Sequence, residues 1–188
     1  MTEVLFLCTG NLCRSPSAAW FLSQRVQRDG PADVVINSAG TRGATIGPPA
    51  RLLKEAAAFG MDLDGHVPHR MEIEDIARSD LVIGMAREHV RETVLMDQTS
   101  FPMAFTLREF VRRGSDIGPR STREPLSDWL VRVHGARRHL DLIGDSGPDD
   151  IPDPMGGSSE DFRHMLTEVK ELTDLLYSLI WGSWQTLM

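Results

Sequence analysis

The sequence predicts an α/β fold in which a parallel sheet of about four strands is covered by helices on both faces. Short runs such as residues 4–7 and 81–83 are apolar at every position, which is typical of strands buried on both sides. These runs alternate with longer segments of helical apolar spacing. A chain of 188 residues can bury a core without disulfides or metals, so we expect one domain spanning residues 1–188.

The first third of the chain predicts two strands and two helices. Residues 4–7 and 33–37 are the strands, and a turn follows at 38–41. A helix is expected over 15–28, with Ser15 as its N-cap and Pro16 as its first helical residue. A second helix is expected over 49–59, because Gly60 is the residue type favoured just after a helix.

The rest of the chain predicts two more strands and four helices. The strands are residues 81–83 and 104–107, and the helices are 72–78, 87–96, 125–140 and a last one that opens at Ser158. Asp161, three residues after Ser158, completes a capping-box pattern. The helix over 125–140 depends on the spacing of its apolar side chains: Leu126, Trp129, Leu130, Val133 and Leu140. Residues 144–157, rich in Gly, Pro and Asp, are expected to form a loop.

One segment differs from the rest in charge. Residues 108–138 hold eight arginines and four acidic residues, within an expected helical insertion at about 108–148. Two interpretations stay open: a solvated helical hairpin, or a patch that meets acidic or phosphorylated partners.

Composition excludes several classes of function. The formal net charge of -7 argues against a nucleic-acid binder. No apolar stretch approaches the length that spans a bilayer, and the N-terminus lacks the pattern of a secretory signal, so we expect a cytoplasmic protein without a membrane partner. Two cysteines cannot build a disulfide framework or a zinc set, and we expect no metal and no cofactor.

The residues between the first strand and the first helix suggest a catalytic loop. Cys8 ends the strand, and Thr9, Gly10, Asn11, Leu12 and Cys13 lead from it to Arg14. Ligands of parallel sheets bind at such strand ends, where backbone N–H groups and a helix N-terminus attract anions. Arg14 offers a planar fork for two oxyanion oxygens, and the same positive field favours the thiolate of Cys8. We expect Gly10 to permit the tight backbone and Asn11 to tolerate a left-handed conformation.

This loop resembles the phosphate-binding loop of the low-molecular-weight protein tyrosine phosphatases, whose signature is Cys-x5-Arg-Ser/Thr. The resemblance continues in family order through "INSAGT", "GMDLDGH", "SDLVIGMAREH" and "IPDPMGG", and leaves out roughly residues 108–148. It implies a flavodoxin-like strand order and a phosphomonoester hydrolase, with phosphorylated proteins or small phosphate esters as substrates.

The resemblance also implies a role for each site residue. Cys8 attacks phosphorus, Arg14 binds the equatorial oxygens, and Ser15 stabilises the leaving thiolate when water hydrolyses the phosphocysteine. Asp153, before Pro154, matches the general acid; Asp149 and Asp150 stay open as alternatives from the residues alone. Residues 9–13 form the substrate-binding loop. Its member Asn11, together with Ser38 and His66, matches a hydrogen-bond network that holds the loop, and Cys13 matches a cysteine that pairs with the nucleophile on oxidation.

Specificity and reaction class stay open at this point. Family members that act on phosphotyrosine line the cleft with aromatic side chains, but Ala44 or Thr45 and Met155-Gly156 occupy those positions here. Met155 could substitute, Trp129 could swing in from the insertion, or the substrate is not a phosphotyrosine protein. Arsenate reduction coupled to a small thiol is the alternative reaction on this scaffold, and an anion-binding module without turnover is a third reading.

Overall fold

The structure, a computed structural model, describes residues 1–144 and 147–182 and centres on a four-stranded parallel sheet. The strands are β1 (Thr2–Cys8), β2 (Val34–Gly40), β3 (Leu81–Gly84) and β4 (Ala104–Thr106). Their order is β2-β1-β3-β4, and Val4 pairs with both Ile36 and Leu81. The predicted α/β fold with helices on both faces is confirmed, and its strand order is that of flavodoxin-like folds.

Seven α-helices are found in the described residues. They are α1 (Arg14–Asp29), α2 (Ala50–Ala57), α3 (Ile73–Ala77), α4 (Arg87–Met96), α5 (Leu107–Ile117), α6 (Leu126–His134) and α7 (Ser159–Ile180). Two short 3₁₀ helices, Gln98–Met103 and His139–Leu142, complete the set. No helix among the described residues combines the length and the apolar character needed to cross a membrane.

The sheet separates two apolar clusters. Val4, Phe6 and Ile83 face the larger cluster, which includes side chains of α1, α2, α5, α6 and α7. Leu5 and Leu7 face the smaller one, which α3 and α4 cover. Because successive strand residues point to opposite faces, a strand buried on both sides must be apolar at every position. This explains the unbroken apolar runs in the sequence.

Most predicted elements are confirmed within a few residues, and five expectations were wrong. The turn expected at 38–41 is largely strand, because residues 38–40 pair with β1 as the end of β2, and Pro16 is the third residue of α1, not the first. Ser15 is not the N-cap of α1: the helix begins at Arg14, after Cys13, which supplies no side-chain cap. Leu107 begins α5, where the side chain of Thr106 accepts a hydrogen bond from the Glu109 N–H, so the strand ends one residue earlier. The expected helix over 125–140 stops at His134, before a glycine, and Leu140 lies exposed in a 3₁₀ helix.

The last helix follows the prediction closely. The Ser158 hydroxyl accepts a hydrogen bond from the Asp161 N–H, and the Asp161 carboxylate accepts from the Ser158 N–H, which is the predicted capping box. On one face of this helix Leu172 is partly buried, and the other apolar side chains are buried: Phe162, Met165, Leu166, Val169, Leu176 and Leu179. Residues 145 and 146 of the predicted loop lie outside the described residues.

The insertion is a helical hairpin, but it is not a solvated one. Phe110 of α5 and Trp129 of α6 are wholly buried and pack edge to face. The Trp129 indole N–H donates to the Gly118 carbonyl at 3.0 Å. Trp129 is therefore a core residue, and the expectation that it could swing into the cleft is not supported by its packing.

Candidate active site

The loop between β1 and α1 wraps around the sulfur of Cys8. The Asn11 backbone N–H donates to Cys8 Sγ at 3.2 Å, and Asn11 itself has φ 56°, the left-handed conformation that asparagine tolerates better than most residues. Cys8 and Arg14, at the strand end and the helix start, are both buried. Residues 8–14 thus form a compact turn at the carboxyl edge of the sheet, where ligands of this fold class bind.

The glycine that permits this turn is Gly40, not Gly10. A Cβ on Gly10 would make only ordinary contact with the Leu12 side chain, at 3.4 Å. A Cβ on Gly40 would lie 2.9 Å from three backbone atoms of the loop, contributed by Thr9, Gly10 and Asn11. The end of β2 therefore approaches the loop closely, and the next two residues bind it: the N–H groups of Thr41 and Arg42 donate to the carbonyls of Cys8 and Thr9, both at 2.9 Å.

A hydrogen-bond network connects this loop to Ser15, Ser38 and His66. The Asn11 amide donates to Ser15 Oγ at 3.0 Å and to Ser38 Oγ at 2.9 Å. His66 Nε2 lies 2.7 Å from the Asn11 carbonyl, so this nitrogen carries the donated proton. The Ser15 hydroxyl lies 3.0 Å from Cys8 Sγ and 3.3 Å from the Ala39 carbonyl. Because Asn11 donates to Ser15 Oγ, the Ser15 proton is left for one of these two acceptors.

One residue of this network was missed in the sequence. The His69 N–H donates to Asn11 Oδ1 at 3.0 Å, and the His69 carbonyl accepts from the Gly40 N–H at 2.8 Å. These are backbone contacts, which any residue type can make, so no sequence signal could have identified position 69.

Arg14 and Asp153 meet at the mouth of the loop. Arg14 Nη2 lies 2.6 Å from Asp153 Oδ2, and the other carboxylate oxygen accepts from the Met155 N–H at 3.0 Å. Arg14 Nη1 donates to the Ile151 carbonyl at 3.3 Å. The Asp153 side chain is 45% exposed, whereas that of Arg14 is 5% exposed. The carboxylate therefore lies between the buried guanidinium and solvent.

The two alternative acids of the same loop have other partners. Asp149 forms an ion pair with Arg112 at 2.7 Å. Asp150 accepts from the backbone N–H groups of Arg87 and Gly147, at 2.8 and 2.9 Å. Neither residue lines the cavity above Cys8. Their carboxylates hold the loop in place, whereas Asp153 faces the cavity.

The arginine-rich insertion holds this loop as well. Arg108 of α5 donates to the carbonyls of Pro148 and Asp150, at 3.0 and 2.6 Å, and pairs with Glu168 of α7. The other arginines of segment 108–138, apart from Arg123, contact carboxylates or carbonyls of the same chain: Arg112, Arg113, Arg120, Arg132, Arg137 and Arg138. These pairings do not favour the interpretation of the segment as a patch for acidic partners.

A cavity of about 180 Å³ lies directly above the loop. Its lining consists of Cys8, Thr9, Gly10, Leu12, Cys13, Arg14, Asp153 and Met155. The cavity brings together the predicted nucleophile, guanidinium and acid, and no aromatic side chain is among these lining residues. Met155 stands where the aromatic residue of phosphotyrosine-specific members was expected.

Cys13 is a buried thiol beside this cavity. Burial raises its pKa to about 12, and the negative charges of Cys8 and Asp153 act in the same direction. Its sulfur lies 3.5 Å from that of Met155. Both cysteines are free thiols in the structure. Cys13 is therefore protonated near neutral pH and is not a second nucleophile in this state.

His89 of α4 is a buried site residue that sequence analysis did not single out. Its Nδ1 accepts from the Ala86 N–H at 3.0 Å, so Nε2 carries the proton, and Nε2 lies 3.1 Å from Thr9 Oγ1. Burial lowers the His89 pKa to about 3, and the positive charges of Arg14 and Arg42 lower it further. A neutral imidazole thus orients the first side chain of the loop. Two signals in the sequence could have identified it: it is the last residue of the family-like stretch "SDLVIGMAREH", and it lies in the first turn of a predicted helix.

Comparison with known proteins agrees with this geometry. The family profile described as low molecular weight phosphotyrosine protein phosphatase matches residues 3–119. The low molecular weight protein-tyrosine-phosphatase Etp of Escherichia coli strain K12 is 32% identical over 91 residues, which are 48% of this chain and 58% of Etp. This chain therefore matches less than two thirds of the length of that relative.

Two longer matches extend over most of the chain. The protein-arginine-phosphatase of Bacillus subtilis strain 168 is 26% identical over 170 residues, covering 90% of this chain and 91% of that protein. The crystal structure of a low molecular weight protein tyrosine phosphatase from T. tengcongensis has a TM-score of 0.70 at 25% identity, covering 95% and 99% of the two chains. The family profile alone matches more than half of the chain, so this protein belongs to the low molecular weight phosphotyrosine protein phosphatase family.

Proposed function

We propose that the protein is a cysteine-dependent protein tyrosine phosphatase that hydrolyses phosphate monoesters through a phosphocysteine intermediate. The observation that carries this proposal is the placement of Cys8 Sγ, with donors at 3.0 and 3.2 Å, below a cavity that Arg14 and Asp153 also line. Donors directed at a sulfur stabilise its thiolate, and a buried guanidinium beside it offers a site for phosphate oxygens.

In the first step the Cys8 thiolate attacks phosphorus, and the S–P bond forms as the bond to the leaving oxygen breaks. The Arg14 guanidinium binds two equatorial oxygens and stabilises their charge in the transition state. Asp153 gives its proton to the leaving oxygen. A bound phosphate competes with Asp153 for Arg14 Nη2, and this competition would turn the carboxyl group from the guanidinium toward the leaving group.

In the second step water attacks the phosphocysteine and gives a proton to the Asp153 carboxylate. The S–P bond breaks, and the thiolate leaves with the Ser15 hydroxyl as its hydrogen-bond donor. Asn11, Ser38 and His66 act as positioning residues for Ser15 and the loop, and so does the missed residue His89 through Thr9. We further propose that a single domain of residues 1–188 carries the reaction in the cytoplasm.

The experiment that tests the proposal compares wild-type protein with Cys8→Ser on a panel of phosphotyrosine peptides, phosphoserine peptides, phosphoarginine, p-nitrophenyl phosphate and arsenate. We expect hydrolysis of phosphotyrosine peptides and p-nitrophenyl phosphate by the wild type and none by Cys8→Ser, which should still bind vanadate weakly because the loop remains. If the variant retained more than about a tenth of wild-type turnover, Cys8 would not be the nucleophile, because removing a covalent nucleophile usually costs far more than about tenfold in rate.

The panel also separates the alternatives. Phosphoarginine is included because a protein-arginine-phosphatase is among the relatives. If the enzyme preferred phosphoarginine or a small phosphate ester, the proposed phosphotyrosine substrate would be wrong, but the proposed attack by Cys8 would stand. Thiol-dependent arsenate reduction without phosphatase activity would replace the reaction itself; the sequence has no cysteine after Cys13 for an internal relay.

A further inference from the structure

Two arginines beside the phosphate cavity differ from the other arginines of the chain. Nearly every arginine makes an ion pair or donates to a backbone carbonyl, as Arg51 and Arg91 do. Among the described residues, only Arg42, Arg70 and Arg123 have side chains with neither kind of partner. In a chain with a formal net charge of -7, unpaired cations are the exception.

Arg42 and Arg70 line one cavity together. This cavity, of about 400 Å³, is bounded by Arg42, Gly43, Ala44, Thr45, Pro68 and Arg70, and no carboxylate lines it. Both arginines are exposed. We call these two residues the cationic flank.

The cationic flank adjoins the phosphate-binding loop. The Arg42 N–H donates to the Thr9 carbonyl at 2.9 Å, and the Ala44 side chain lies 3.9 Å from where a Cβ on Gly10 would stand. The charge of Arg42 also contributes to the lowered pKa of His89, which contacts Thr9. A group that extends from a bound phosphate on this side would therefore meet two guanidinium groups.

The other side of the phosphate cavity has the opposite charge. There, Asp153 and Met155 also line a larger cavity of about 520 Å³, whose lining includes Asp161, His164 and the Arg108 partner Glu168, and no lysine or arginine. A substrate in the cleft is thus placed between an acidic and a basic side. Such an arrangement selects the orientation of a charged substrate more than it adds affinity.

We propose that the cationic flank binds an acidic side chain next to the phosphorylated residue, so that the preferred substrates are phosphorylated peptide segments with Asp or Glu on one side. This inference rests on the proposed function, because it concerns the neighbours of the phosphate that Cys8 attacks. Ile46 and Val67, 67% and 81% exposed, are the chain neighbours of Thr45 and Pro68 in the cavity lining, and their apolar side chains are available to the same segment. A phosphorylated peptide supplies both a carboxylate and apolar side chains next to the phosphate, whereas a compact phosphate ester supplies only one of these kinds of group.

The test measures kcat/KM for three phosphotyrosine peptides: one neutral, one with two glutamates before the phosphotyrosine, and one with two glutamates after it. We expect the wild type to prefer one acidic peptide over the neutral one by about 3- to 10-fold, the range of two exposed ion pairs. The double variant Arg42→Gln/Arg70→Gln should lose this preference, and 0.5 M salt should reduce it in the wild type because exposed charges are screened.

The matched control is Arg123→Gln, which removes an equally unpartnered arginine from the loop before α6 and should leave the peptide preference unchanged. Equal kcat/KM for all three peptides in the wild type, or an undiminished preference in the double variant, would overturn this inference alone. Preference for a small bisphosphate over its monophosphate, without discrimination among peptides, would assign the flank to a second phosphate instead and also overturn it. Hydrolysis of p-nitrophenyl phosphate but of none of the peptides would overturn it together with the proposed protein substrate.

Discussion

At the scale of single residues, the candidate reaction depends on one contact that has to change. Asp153 lies 2.6 Å from Arg14, and the same guanidinium is the proposed phosphate ligand. A carboxylate oxygen that accepts from this guanidinium is turned away from the leaving group, whereas a general acid has to bring a proton to it. A bound phosphate would compete with Asp153 for Arg14.

Replacing Asp153 by Asn should therefore slow the enzyme in proportion to the basicity of the leaving group. We expect a loss of about 10²–10⁴-fold in kcat for phosphotyrosine, which is the usual contribution of acid catalysis, and a visibly smaller loss for p-nitrophenyl phosphate. Steady-state kinetics on both substrates across pH measures this difference. Equal losses on both substrates would contradict the assignment of Asp153 as the general acid and would leave Asp150 and Asp149 as the candidates.

His89 connects a single residue to the pH dependence of stability. Its folded pKa is about 3 against an ordinary value of 6.5, so the unfolded chain takes up a proton below pH 6.5 that the folded protein does not. The stability that His89 contributes is complete above pH 6.5 and declines as the pH falls toward 3, by up to roughly 1.4 kcal/mol per pH unit.

Urea unfolding between pH 7.5 and 5.0 tests this linkage. The free energy of unfolding of the wild type should fall with decreasing pH more steeply than that of His89→Gln. His164→Gln, which changes a 73% exposed histidine of α7, should retain the wild-type slope. Parallel slopes for wild type and His89→Gln would show that His89 titrates normally.

At the scale of elements, the candidate catalytic loop is shaped by a strand that is not adjacent to it in sequence. β2 ends at Gly40, whose missing side chain leaves room for the backbone of residues 9–11. Thr41 and Arg42 then bind the loop through their N–H groups. The loop conformation thus depends on the pairing of β1 with β2.

Gly40→Ala should disturb the loop without unfolding the protein. Its Cβ would lie 2.9 Å from backbone atoms that cannot rotate away, so the loop has to shift, and a displacement of about 1 Å at a catalytic group can cost roughly 100-fold in rate. We expect such a loss in kcat/KM for p-nitrophenyl phosphate. The control Gly47→Ala places a Cβ with nothing within 4 Å and should keep wild-type activity. Normal turnover by Gly40→Ala would show that the loop accommodates the methyl group.

At the scale of the whole molecule, the insertion contributes to the core and not to the cleft. Trp129 is wholly buried against Phe110, and Gly114 of α5 allows close contact with Leu179 of α7. Trp129→Phe should lower the free energy of unfolding by about 1–3 kcal/mol, through the lost indole hydrogen bond and the reduced volume.

Kinetics distinguish this role from a place in the substrate cleft. Below the unfolding transition, Trp129→Phe should hydrolyse phosphotyrosine peptides with the KM of the wild type. An unchanged unfolding midpoint together with a raised KM would indicate instead that Trp129 reaches the substrate.

The sequence by itself determined the class of fold and pointed to the candidate nucleophile loop, because both depend on local pattern. Unbroken apolar runs indicate strands buried on both faces, and the capping box of Ser158 and Asp161 marks a helix start. Cys8, Arg14 and Asp153 could be assigned from residue type, spacing and resemblance. Local pattern failed at two positions. Ser15 was predicted as an N-cap, but its hydroxyl contacts Cys8; Leu107 was predicted as a strand residue, but it begins a helix that Thr106 caps.

Only the tertiary structure decided which groups complete the site. The requirement for glycine at position 40, the burial that keeps His89 neutral and the pairing of Asp149 and Asp150 with other groups all arise between residues far apart in the chain. The role of the insertion was also decided by the tertiary structure. In sequence its arginines resemble a surface patch, but most of them are paired with groups of the same molecule. Steric exclusion, desolvation and ion pairing depend on distances in space, and a one-dimensional pattern does not contain them.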